Sequence, residues 1–151
     1  MEITLTIDRA AVLAEVAQRT EYTGAKTEQG DGAYDRIRTV DEDAPELLEL
    51  WKENKADMML ALKHLHPVEE QDGDNYSVKL HPSSLFDPAQ LPSMVDGLFS
   101  YFVNGILSKW YIYTNKEEAG AYATAAASML EGVRQKAFHP KRAERPEGIV
   151  S

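Results

Sequence analysis

Three of the four histidines, His64, His66 and His81, carry the first chemistry to weigh, because Glu69, Glu70 and Asp72 follow within a few residues. Imidazole and carboxylate groups form zinc sites when three or four of them converge on one point. The spacing opposes this. His64 and His66 stand two apart at the end of a helical pattern, so their rings leave on different faces. Val68 to Asn75 therefore reads as a loose acidic turn, and no metal ligand is assigned. Asp72-Gly-Asp74-Asn75 offers oxygen donors suited to calcium, but it lacks the twelve-residue spacing and terminal glutamate of a calcium loop. His139 precedes a proline in the C-terminal segment, a poor place for a positioned base.

Acid–base chemistry has two further candidates. Asp96 and Lys109 are the only charged residues between Met94 and Tyr113. A buried charge in such a run has a displaced pKa and becomes a candidate acid or base. Asp96 is better explained as the capping partner of Ser93. Lys109, near a helix end, can carry its ammonium to water along its stem. Gly24, Gly30 and Gly32 do not form a phosphate loop, and no Gly-Lys-Ser/Thr follows them. No Gly-x-Ser-x-Gly elbow is present. The chain has no cysteine, which removes disulfides, thiolate ligands and thiol nucleophiles together and fits a reducing compartment. No catalytic, cofactor-binding or metal residue is assigned, and the chain is expected not to be an enzyme.

The elements that would position any site are clearer. Ile3, Leu5 and Ile7 alternate with polar residues, the mark of a half-buried strand. Asp8 stands as the N-cap of a helix from Arg9 to about Thr23, with Val12, Leu13, Val16 and Ala17 inward. Residues 24–33, rich in glycine and polar side chains, are expected as a mobile loop. Tyr34, Ile37 and Val40 are spaced like a short helix face. Asp41-Glu-Asp-Ala-Pro45-Glu46 is a helix start, with acids at the positive end of the dipole and proline in the first turn. Leu47, Trp51, Met58, Leu62 and Leu65 then mark an amphipathic helix to about His64, ended by His66-Pro67. Tyr76 to Leu80 alternates again and is the expected antiparallel partner of residues 3–7.

Asp87-Pro88 and Leu91-Pro92-Ser93 are successive helix-entry signals, and Ser93 with Asp96 resembles a capping box. Val95, Phe99, Phe102, Ile106, Trp110 and Tyr113, widened by Leu98, Tyr101 and Leu107, predict a helix apolar nearly all round, hence central. Asn115 with Glu118 is a second capping box. The helix from Lys116 to about Ala137 directs Ala119, Tyr122, Ala126, Met129, Leu130 and Val133 inward. Six alanines between Ala119 and Ala127 let the preceding helix approach closely, giving an antiparallel hairpin. The expected fold is mostly α: a four-helix bundle-like domain over residues 1–137 with a two-stranded antiparallel element. Residues 138–151 form an extended basic tail. The expected core is Trp51, Met58, Leu62, Leu98, Phe102, Ile106, Trp110, Tyr122, Met129 and Leu130.

Composition bounds the function. At 151 residues, 43% hydrophobic and 27% charged, the chain is the size of one globular domain. Its net charge is −9, concentrated in residues 1–75, which hold 18 acidic and 8 basic side chains. Such a surface repels phosphate backbones, so direct nucleic-acid binding is not expected. The start Met1-Glu-Ile-Thr lacks the basic and apolar segments of a signal peptide. The longest uncharged apolar run, Gly97–Ser108, falls short of the roughly 20 residues that span a bilayer. A cytoplasmic protein without membrane contact is expected.

Arg38-Thr-Val-Asp-Glu-Asp-Ala-Pro-Glu-Leu-Leu-Glu-Leu-Trp51, continued to Leu65, resembles the small head–tail connector (adaptor) proteins of tailed phages and prophages. Phe102-Val-Asn-Gly-Ile-Leu-Ser-Lys-Trp110 and the residues after it resemble small proteins of bacterial prophage regions. The resemblance covers about half of the chain. It implies a compact helical protein with arms, acting non-enzymatically in virion assembly through protein partners or self-association, and it supplies no catalytic residues. The glycine-rich segment and the strands depart from that pattern. The alternative is a small-ligand or regulatory binding module of a bacterial cytoplasm, with Tyr and Trp around residues 101–113 lining a pocket.

Overall fold

A computed structural model describes residues 1–138 and 140. His139 and residues 141–151, most of the expected basic tail, lie outside the described residues.

The first strand, β1 (Ile3–Asp8), buries every second side chain, as its alternation requires. The Asp8 carboxylate then accepts from the Ala10 N–H at 3.0 Å and opens α1 (Arg9–Thr27). A five-residue helix, α2 (Ala33–Ile37), buries Ile37 and leaves Val40 beyond it exposed. Asp43 accepts from the Val40 N–H at 2.8 Å just before α3 (Ala44–Ala61), which carries Pro45 in its first turn. A 3₁₀ turn and His66, in the left-handed region at φ 50°, reverse the chain.

The expected acidic turn at 68–75 is a correction. Val68–Asp72 is a strand, β2, joined to β3 (Asn75–Leu80) by a two-residue turn at Gly73-Asp74. Gly73 takes a φ of 59°, the positive value that such hairpin turns demand. The sheet has order β1-β3-β2, all antiparallel, so it has three strands and not two. The expected pairing of 3–7 with 76–80 is present, Ile3 opposite Leu80 and Ile7 opposite Tyr76. All five residues of β2 are exposed. Backbone pairing holds this strand, and its acidic side chains discourage further edge pairing.

The apolar run forms α4 (Leu91–Thr114), whose residues from Tyr101 to Ser108 are all buried. It and α5 (Lys116–Ala137) make an antiparallel hairpin about Asn115. Helices α1, α3 and α5 pack on α4, and so does β1. Its surroundings are thus helices and a sheet edge rather than helices alone. Trp51 stacks on Phe102 with centroids 4.2 Å apart, and Tyr76 meets both edge-on. Such pairs add about 0.5–1.5 kcal/mol beyond area burial.

Neither expected capping box forms. Helix α4 begins at Leu91, two residues before Ser93, and Asp96 is exposed on its surface. Ser93 instead receives a hydrogen bond from Lys136 of α5. Asn115 is the N-cap of α5 by position, but its side chain makes no cap bond. In the core, Met129 is exposed and Tyr122 only half-buried. The inward face of α5 is Ala119, Ala126, Leu130, Val133 and Ala137, and Met129 lies one position off that stripe.

The segment read as a loop over 24–33 is narrower than expected. Gly24 to Thr27 continue α1, and Ala33 begins α2. Between them the Glu28 carboxylate gathers the N–H groups of Gly30 at 2.7 Å, Tyr34 at 2.9 Å and Gly32 at 3.3 Å. The Tyr34 amide, aided by those of the two glycines, holds its pKa below the usual glutamate value. A lowered folded pKa means the bonds are fully present above the ordinary glutamate range and are lost as pH falls through the folded value. In an NMR titration, protection of the Gly30 and Tyr34 amides should fall only on the acid side of that range. Glu28→Ala should abolish the protection at every pH. Amides that ignore both changes would show that Glu28 does not organise the turn.

Candidate functional site

The histidines do not gather. His66 and His81 meet through backbone: His81 Nδ1 lies 3.1 Å from the His66 carbonyl, and His81 Nε2 is 3.5 Å from Glu2. His64 is exposed on the 3₁₀ turn. Among the described residues no three His, Asp or Glu side chains converge on one point. Asp74 turns to Arg9, 3.2 Å away, in an ion pair that ties the hairpin to the start of α1. His139 lies outside the described residues.

Of the aromatic residues that the alternative reading places around a pocket, Tyr101 and Trp110 are buried and bonded in the core. Tyr101 donates to the Asn54 carbonyl at 2.6 Å, and the Trp110 indole donates to the Ile37 carbonyl at 2.6 Å. Burial, with help from Glu69, pushes the Tyr76 phenol far above its usual value, and burial does the same to Tyr101. Burial raises Tyr111 to about 12. The raised values keep these three phenols protonated near neutrality, with their rings in the core.

Two of the surface depressions bear on function. The first, about 470 Å³, lies where α3 meets the end of α4. Leu50, Ala56, Ile112 and Tyr113 supply apolar surface, while Lys109 bonds to Asp57 at 3.2 Å and approaches Glu53 at 3.8 Å. Lys109 is thus an ion-pair partner across two helices, held at the rim. Ile112 and Tyr113, 50% and 86% exposed, end a helix whose preceding face is buried.

The second depression, about 420 Å³, lies between α3, the start of α1 and the hairpin. Arg9, Lys52, Lys55 and Gln71 surround it, with Glu49 at the rim and Trp51 as a wall. Lys52 pairs with Glu49 at 3.2 Å, both side chains being largely exposed. Lys55 sits over the Tyr76 ring, 5.6 Å from its centroid. Sequence reasoning missed this cluster. Its one local signal is Lys52 and Lys55, three apart on a helix whose other charged side chains are all acidic.

Comparison with protein-family models, curated proteins and solved structures found no match for this chain. Among the described residues no helix is long and apolar enough to cross a membrane.

Proposed function

We propose that the chain is a non-enzymatic assembly protein that works through protein–protein contacts, with the α3–α4 depression as its contact face. The exposure of Ile112 and Tyr113 beside that depression carries this reading. Large apolar side chains at successive positions, over a recess with a charged rim, match the anchor-and-rim pattern of protein interfaces. The helix-entry pattern of residues 38–65 supports the narrower reading, a head–tail connector subunit of a prophage.

Light scattering over a concentration range, with binding assays against products of neighbouring genes, tests this. Self-association or capture of such a product is the expected result. Tyr113→Ser should weaken the contact by about thirtyfold, the scale of losing one aromatic anchor, and leave the thermal midpoint unchanged. A strict monomer that binds no neighbouring gene product would defeat the proposal. So would a Tyr113→Ser protein that associates as the parent does.

A further inference from the structure

We infer that the recess between α3 and the β2–β3 hairpin is a binding site for a small oxyanion, a phosphate group by chemical class. This goes beyond the assembly reading and does not depend on it. The chain carries a net charge of −9, yet this recess gathers Arg9, Lys52 and Lys55. Their existing partners leave them capacity. Arg9 uses Nε on Asp74 at 3.2 Å, and its terminal guanidinium nitrogens have no partner among the described residues. The Lys52–Glu49 pair is solvent-exposed, and such pairs exchange at little cost. Lys55 rests on the Tyr76 ring, and among the described residues no carboxylate lies within 4.0 Å of its ammonium.

The wall adds an independent observation. Trp51 is 1% exposed, and its indole N–H is a buried donor with no acceptor among the described residues. The other tryptophan, Trp110, has its acceptor in the Ile37 carbonyl. Buried donors are mostly paired; Arg38 Nε, Tyr111 Oη and Asn115 Nδ2 also lack a partner among the described residues, but of these four only Trp51 belongs to the lining of this recess. A guanidinium, two ammonium groups and an indole N–H offer hydrogens, against one carboxylate, Glu49, and the amide of Gln71, so donors and positive charge prevail. Their complement is a ligand made of acceptors with negative charge, as phosphate is. Pro45 and Leu48 give the recess an apolar lip, against which the substituent of a phosphate monoester can lie.

The two tryptophans make the test internal. In ¹H–¹⁵N spectra of the full chain, the two indole signals are followed during titration with sodium phosphate, with sodium chloride at matched ionic strength as control. The Trp51 signal should move saturably with phosphate alone, and the Trp110 signal should stay. Lys52→Gln/Lys55→Gln should bind about tenfold more weakly or worse, with an unchanged thermal midpoint. Phenyl phosphate separates the sources: tighter binding than inorganic phosphate assigns a monoester, and equal binding assigns the free anion. Absence of saturable movement with either phosphate, equal movement with chloride, or undiminished affinity in the double variant overturns the inference.

Discussion

Trp110→Ala should lower the folding free energy by about 3–5 kcal/mol, the range for deleting a buried large aromatic side chain. Trp110 is 7% exposed, and its indole N–H donates to the Ile37 carbonyl at 2.6 Å. The substitution removes apolar contacts on α4 and strands the carbonyl at the end of α2. Trp110→Phe separates these effects. It keeps most of the ring and loses the donor, so about 1–3 kcal/mol should go. Denaturant unfolding at constant m reads both values from the shift in midpoint. A Trp110→Ala loss below about 0.5 kcal/mol is what surface positions give, and it would remove Trp110 from the core.

The same tryptophan shows what the sequence makes legible. Apolar periodicity located α4, and the stripe of Trp51, Met58 and Leu62 located α3, because burial of a face imposes a period on the chain. Asp8 was readable as a cap because its carboxylate acts two residues away. Strand β2 has no such period. Its residues are exposed, and β3 confers its extended form through backbone bonds that any side chain permits. The Asp72-Gly73 step was its only local trace. Ser93 misled for a similar reason. Several residues in 87–93 favour helix entry; Asp87 caps a 3₁₀ turn at Pro88–Gln90 that runs directly into α4 at Leu91, while Lys136 takes the Ser93 hydroxyl.

The sites were less legible than the fold. Ile112 and Tyr113 continue an apolar run, and only the end of the packed neighbourhood leaves them facing water. The cationic recess needs Arg9 and Gln71 brought to the lysines of α3. The hairpin does this, and its first strand and turn, 68–75, carry no strand period in the sequence. A site assembled across three elements leaves no spacing in any one of them.

The contact between α3 and α4 supplies the second large effect. Alanine for glycine inside a helix ordinarily gains roughly 0.5–1 kcal/mol. Gly105 should do the opposite. A Cβ there would lie 2.3 Å from Asn54 Oδ1 and 2.9 Å from its Cγ. Asn54 is 2% exposed, and its amide donates to the Leu50 carbonyl at 2.9 Å. Its backbone carbonyl accepts from the Tyr101 hydroxyl. The side chain is buried and tied through its amide, so yielding breaks that bond or shifts α3, and Gly105→Ala should cost about 1–3 kcal/mol, as overpacking does. Gly120 is the control, since a Cβ there meets nothing within 4 Å. Gly120→Ala should follow the ordinary rule and stabilise. In an Asn54→Ala background the penalty at 105 should shrink by about 1 kcal/mol or more, the coupling expected of residues in contact. Equal gains at both glycines would mean that α3 and α4 are not in register at Asn54. That register also sets Lys109 opposite Asp57 and shapes the depression beside Tyr113, so the proposed contact face would lose its basis at the same time.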